Sequence, residues 1–297
     1  MREVSFFGKV PSEGDFLRAP SKSAAAIAFE NWTHEAYGSL RGAGLAGVPA
    51  PVYCVVPDQA SGCFVYAAMV PSVDSVGRAF PFVVTCTVPA AEVAVRASVL
   101  PIACDRFFND VATLGEQLDG LDRDSIIRRV ASIAPVSASE EQYADTVCDR
   151  TSSSVFTAEF ETTNFHSAAE RYYAYRTLRL AGVSKQGGIT LDCPLNRDVD
   201  LFVWAEIIHA VRLWRAAPMV WTIDPEPRLL VSLGAQPTSA VRQLFRADAR
   251  DASYWNLKTD NATALEEASN VMARLAAWDR VGEPISMLIE RVASLPL

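Results

Sequence analysis

The hydrophobic pattern changes period along the chain, and each change marks an element. Val4-Ser5-Phe6-Phe7-Gly8 reads as a short buried strand, and Pro11-Ser12-Glu13-Gly14-Asp15 after it is dense in turn residues. From Ser21 to Leu40 the period is helical, with Ala24, Ile27, Ala28, Trp32 and Tyr37 on or near one face. Gly42 to Pro51 ends that helix. Three strands follow with no helix between them, at Val52–Val56, Phe64–Val70 and Phe80–Val88. Consecutive strands on short connections predict an antiparallel meander.

From Ala90 to about Asp149 the period returns to 3.6. It predicts helices at Ala91–Leu100, Cys104–Leu118, Asp124–Ile133 and Ser139–Cys148. Ser152-Ser153-Ser154 marks a weak internal boundary. Beyond it the pattern predicts a strand at Val155–Phe160, a helix at Ala168–Leu180 and a strand at Gly188–Cys193 after the Gly187-Gly188 turn. Asp198 to Trp214 is apolar on nearly every side, through Leu201, Phe202, Trp204, Ile207, Ile208, Val211 and Trp214, which predicts a buried helix. Strands at Met219–Ile223 and Leu229–Leu233 flank the turn Asp224-Pro225-Glu226-Pro227. From Ala247 the pattern is helical and more charged. Thr263 and Glu266 fit a capping box, and Ala268, Val271, Met272, Leu275 and Trp278 form a stripe ending at Gly282 and Pro284, which packs on the sheet domain or, in the alternative reading, docks a partner.

Taken together the elements predict an α+β fold: a mixed, mostly antiparallel sheet with helices packed on it, a helical insert and a C-terminal helix. Residues 1–246 are read as one α+β domain, with a signature region at 1–89, a helical region at 90–150 and a second α/β part at 151–246. Residues 247–297 are read as a C-terminal helical extension.

Composition narrows the function. The 297 residues carry 27 Lys and Arg against 35 Asp and Glu, a net charge of −8. Residues 1–89 hold 6 basic and 7 acidic groups and residues 90–297 hold 21 and 28, so neither part supplies the basic surface that nucleic acid requires. Arg2, Glu3 and Lys9 interrupt any signal-peptide core. The longest charge-free stretch, Gly42 to Pro57, contains three prolines and three glycines and cannot be a spanning helix. These features predict a cytoplasmic protein with no membrane span. The six cysteines, at 54, 63, 86, 104, 148 and 193, are irregularly spaced, contain no C-x-x-C and read as reduced, buried thiols.

Standard catalytic clusters are missing from the sequence. Gly42-Ala43-Gly44-Leu45-Ala46-Gly47 matches G-x-G-x-x-G, but it follows a helix and runs into Val48-Pro49-Ala50-Pro51, so it cannot open a pyrophosphate-binding helix. Gly8-Lys9 is no P-loop, since Glu3 stands in place of the first glycine and Val10 in place of the hydroxyl. His34, His166 and His209 lack zinc spacing, and His209 reads as a hydrogen-bonded core histidine. No G-x-S-x-G elbow occurs. The sequence therefore nominates no catalytic residue, cofactor or metal.

Two dense polar and glycine-rich segments remain, each joining a strand to the next element. One is Phe7-Gly8-Lys9-Val10-Pro11-Ser12-Glu13-Gly14-Asp15-Phe16; the other is Met69-Val70-Pro71-Ser72-Val73-Asp74-Ser75-Val76-Gly77-Arg78-Ala79-Phe80-Pro81. Gly77 suits a positive φ, Asp74 a bond to the amides of its own turn, and Arg78 offers a planar donor fork. Two readings stand open. In one, Arg78 pairs with Asp15 or Asp74 and ties the loops together. In the other, Lys9, Ser12, Arg78 and loop amides form a surface for an acidic or phosphorylated partner.

These segments resemble the N-terminal signatures of the TagF (ImpM) family of type VI secretion-associated proteins, F-x-G-K-x-P-S-x-G-D-F and M-P-S-x-D-x-V-G-R-x-F-P. Trp32 falls where that family tends to have a tryptophan. Trp221-Thr222, then Leu233-Gly234-Ala235-Gln236-Pro237 and Phe245, look like its closing block, although Gly-Ala-Gln-Pro departs from the usual G-L-P. The stretch from 90 to 150 and the tail after 247 read as additions of this member. The resemblance implies a non-enzymatic cytoplasmic regulator of Gram-negative bacteria that represses the type VI apparatus after translation, in concert with an FHA-domain protein and a kinase/phosphatase pair. It places the interaction surface on Gly8, Lys9, Pro11, Ser12, Gly14, Asp15, Phe16, Pro71, Ser72, Asp74, Gly77, Arg78 and Pro81. The alternative is a hydrolase or phosphate-handling enzyme that uses Asp15, Asp74 and Arg78.

Overall fold

Alternation along the strands sorts side chains to two faces of one sheet. A computed structural model describes the chain apart from Met1, Pro20, residues 185–187, 213–215, 247–250 and 274–280, and Leu297. Trp214, Leu275, Trp278 and Gly187 of the predicted patterns lie outside the described residues. Among the described residues a nine-stranded sheet runs in the order β2-β1-β5-β4-β3-β7-β8-β6-β9. The strands are β1 Glu3–Gly8, β2 Leu17–Ala19, β3 Val52–Asp58, β4 Cys63–Val70, β5 Phe82–Pro89, β6 Ile189–Pro194, β7 Met219–Thr222, β8 Arg228–Leu233 and β9 Tyr254–Asn256. The predicted meander is present, with Val55 opposite Tyr66 and Tyr66 opposite Cys86. Every pairing is antiparallel except β6 with β9, so the fold is α+β with a mixed, mostly antiparallel sheet.

One face carries Phe6, Tyr53, Tyr66, Phe82 and Trp221 into a large core under most of the helices. The other carries Phe7, Cys54, Met69 and Val83 against α1 (Ala24–Gly42) and α9 (Ala240–Phe245). The buried stripe of α1 is Ala25, Phe29, Thr33, Ala36 and Leu40, and Ile27 is 49% exposed. The predicted face is therefore rotated. Trp32 and Tyr37 flank it, half-buried.

The predicted helix at Ala91–Leu100 is instead two 3₁₀ turns, Ala90–Glu92 and Ala97–Val99, leading into the short α2 (Leu100–Ala103). Extended residues at Val93 and Arg96 interrupt it. Then come α3 (Asp105–Gln117), α4 (Arg123–Ser132) and α5 (Ala138–Thr151). Asp122 caps α4 by accepting from the Ser125 amide, and Ser137 with Glu140 forms a capping box on α5.

Val155–Phe160, predicted as a strand, belongs to α6 (Ser154–Asn164). Within six residues its apolar pattern fits either period. Extended to Asn164, burial falls at Thr157, Phe160, Glu161 and Asn164, a helical spacing, with Val155 left 70% exposed. α7 (Ala168–Val183) and α8 (Asp198–Arg212) follow as predicted, and Phe202, Trp204 and Ile207 of α8 are fully buried.

The chain beyond 247 contributes more than helix. β9 adds a parallel edge beside β6, α10 (Ala262–Met272) packs on α7, and α11 (Ile285–Ala293) packs on α8. The cap of α10 is Asn261, whose Oδ1 accepts from the Thr263 and Ala264 amides. Thr263 therefore lies inside the helix and forms no capping box. Ala268 of the predicted stripe is buried, while Val271 is 36% exposed. Arg291 of α11 donates to the fully buried Glu161 at 2.9 Å, which ties the last helix to α6.

The six cysteines are free thiols, five of them buried and Cys63 half-buried. Burial pushes the thiols of Cys86 and Cys148 up to about 11 and about 12, so they are protonated small hydrophobes at neutral pH. His209 accepts a hydrogen bond at Nε2 from the Ala217 amide, as expected of a core histidine, and burial pushes its pKa down to about 4. Among the described residues no helix is long and apolar enough to cross a membrane.

Candidate interaction surface

The two signature loops leave the same end of the sheet. One joins β1 to β2 and the other joins β4 to β5, and β1 pairs directly with β5. Gly8 closes β1 at φ +144°, and a Cβ there would sit 2.3 Å from the Pro81 carbonyl oxygen. Only glycine permits this approach of the two loop bases. Val73 bridges to Ala79 across the second loop, and Gly77 turns it at φ +82°.

Asp74 joins the loops. Its side chain is fully buried. Oδ1 accepts from the amides of Val76 at 3.1 Å and Arg78 at 2.8 Å. Oδ2 accepts from Lys9 Nζ at 2.8 Å and Arg78 Nε at 2.7 Å. Burial by itself would raise the pKa of this carboxyl. The Lys9 ammonium and the Arg78 and Val76 donors outweigh burial and hold it well below the usual carboxylate range.

Arg78 reaches across to the first loop, donating through Nη2 to the Gly14 carbonyl at 2.5 Å, and the Ser75 amide donates to the Glu13 carbonyl at 2.9 Å. Of the two partners the sequence left open for Arg78, the carboxylate it meets is Asp74. Asp15 is exposed and accepts from the Phe16 amide at 2.7 Å. The enzyme alternative thus has its three groups in two arrangements: Asp74 and Arg78 are bonded together, and Asp15 serves its own turn.

Behind the loops lies an aromatic cluster that sequence reading did not assemble. Phe16 meets Phe80 edge-on at 4.9 Å, and Phe80 also contacts His34 at 4.9 Å and Tyr37 at 4.8 Å. His34 and Tyr37 lie three residues apart on α1, so one helix face supports both loops. The Tyr37 hydroxyl donates to the Ala79 carbonyl. The helical spacing of 34 and 37 carries the signal, but the predicted face of α1 includes Tyr37 and omits His34.

The other signature residues divide by exposure. Lys9 and Pro81 are buried, Pro11, Phe16 and Ser72 half-buried, and Ser12, Gly14, Pro71, Gly77 and Arg78 exposed. Lys9 therefore supports the surface from beneath. Between the exposed polar groups stand Val73, 39% exposed, and Val76, 69% exposed. Among the described residues no group of three or more His, Cys, Asp or Glu side chains is placed to hold a metal ion.

Comparison with known proteins locates this architecture. Residues 5–133 match the TagF N-terminal domain, type VI secretion system-associated. The match covers less than half of the chain, includes both loops and runs on into α2, α3 and α4. The crystal structure of PA0076 from Pseudomonas aeruginosa PAO1 is similar at 14% identity and a TM-score of 0.49, covering 84% of this chain and 96% of that chain. No curated protein matches this one in sequence.

Proposed function

We propose that the chain is a non-enzymatic regulator that restrains the type VI secretion apparatus by docking one of its components on the paired loops, a reading supported by the match of residues 5–133 to the TagF N-terminal domain. The FHA-domain component implied by the sequence resemblance, itself linked to a kinase/phosphatase pair, is the partner proposed. One observation carries the reading. Asp74 spends its carboxylate on four donors that lock the two loops into one platform, and the platform leaves Val76, Ser12 and the outer part of Arg78 facing solvent. A preorganised surface of apolar and cationic groups suits recognition, because little ordering entropy is left to lose on binding. A carboxylate saturated by donors is a poor general base.

Overproduction in a bacterium that carries the apparatus tests this. Export by the apparatus should fall with the wild type and stay unchanged with Ser12→Glu/Val76→Glu, two exposed substitutions that leave the Asp74 bonds intact. Unchanged export with overproduced wild type, or equal repression by a double variant that melts at the wild-type temperature, would sink the proposal.

A further inference from the structure

On the sheet face opposite α1, a cleft of about 310 Å³ opens between β3, β7, α2, α3, the side of α5 and the start of α8. Its floor is apolar: Tyr53, Phe108 and Trp221 contact one another with ring centroids 5.2 to 5.8 Å apart. Its rim is acidic. Asp105 opens α3 and Asp198 opens α8, and among the described residues neither carboxylate has a hydrogen-bond or ion-pair partner. The rim arginine, Arg106, is engaged by Glu140 at 3.6 Å. Burial, then Asp105, raises the pKa of Asp198, and burial, then Asp105, Asp198 and Glu116, raises that of the Tyr53 phenol. At the mouth two large apolar side chains face water, Tyr143 at 72% exposure and Ile223 at 49%.

We propose that this cleft receives an arginine side chain from an apolar-flanked segment of a partner protein. The aliphatic stem lies along the aromatic floor while the guanidinium fork meets Asp105 and Asp198. The flanking residues of the segment cover Tyr143 and Ile223, which is why the occupant is a chain and not a free amine. The inference uses none of the loop residues and stands or falls apart from the docking proposed there.

The probe is acetyl-Leu-Arg-Leu-amide, titrated into the full-length ¹⁵N-labelled protein, with the citrulline peptide and acetyl-arginine amide as controls. Saturable shifts should fall on residues 101–109, 198–201 and 221–223. The citrulline peptide should bind the wild type about fivefold to tenfold more weakly, and Asp105→Asn/Asp198→Asn should weaken the arginine peptide by a similar factor. The two carboxylates lose only first-turn helix-dipole interactions, so the double variant should melt within a few degrees of wild type and stay folded at the titration temperature. Absent or scattered shifts, or equal affinity for the citrulline peptide, would overturn the proposal; so would equally tight binding of acetyl-arginine amide.

Discussion

A buried carboxylate with four donors is worth more to the fold than any single surface charge, and Asp74 sets the behaviour of the loops. Asp74→Asn leaves Lys9 buried beside a neutral amide, so the variant should melt well below wild type and the loop amides should exchange faster with solvent. Because the folded pKa lies below the unfolded one, this contribution is complete above about pH 4 and is lost as the pH falls further. His209 acts at milder pH. Its folded pKa is about 4 against about 6.5 unfolded, so the unfolded chain takes up a proton first as the pH drops. Urea unfolding should show about 2 kcal/mol less stability at pH 5 than at pH 7.5 from this group, and His209→Gln should remove that part of the slope. Gly8→Ala should cost about 3 kcal/mol, through its contact with Pro81 and its φ. In the sequence, Asp74 and Arg78 stood out by residue type and spacing. The Gly14 carbonyl that completes the tie did not, since a backbone acceptor has no residue-type signature.

At the scale of elements, strands were more legible than the orientation of helices. The meander over β3, β4 and β5 follows from alternation and short loops, and there the predicted and observed strands agree to within two residues. α1 was placed correctly but turned, because its alanines satisfy more than one stripe and only Phe29 and Leu40 mark the buried one. That difference is measurable. Ile27→Ala should change stability by no more than about 0.5 kcal/mol, whereas Phe29→Ala should cost about 3 to 4 kcal/mol in denaturant unfolding. Val155–Phe160 reads as a strand in the sequence because a short run of Val, Phe and Thr favours one locally, whereas it belongs to α6. The determinants of its helix are tertiary: Phe160 under Trp204, and Glu161 held by Arg291 and Tyr175.

In the whole molecule β1 and α11 belong to the same body. The first strand lies inside the sheet, and the last helix buries Leu288 and Val292 against α8 and α7. Leu288→Ala should cost about 3 kcal/mol and lower the single unfolding transition, not create a second one. The sequence marks the tail as helical, but not where α11 docks, because partners such as Glu161 on α6 lie more than a hundred residues away along the chain. The proposed docking face rests on that body for support: the sheet fixes the loop bases, and α1 backs Phe80 of the second loop with His34 and Tyr37. The most direct measurement is the affinity of the purified chain for the purified FHA-domain component of its own bacterium's type VI apparatus, with and without Ser12→Glu/Val76→Glu. The account predicts saturable binding by the wild type and at least about tenfold weaker binding by the equally stable variant. Equal affinity for both proteins, or no binding by the wild type, would contradict it.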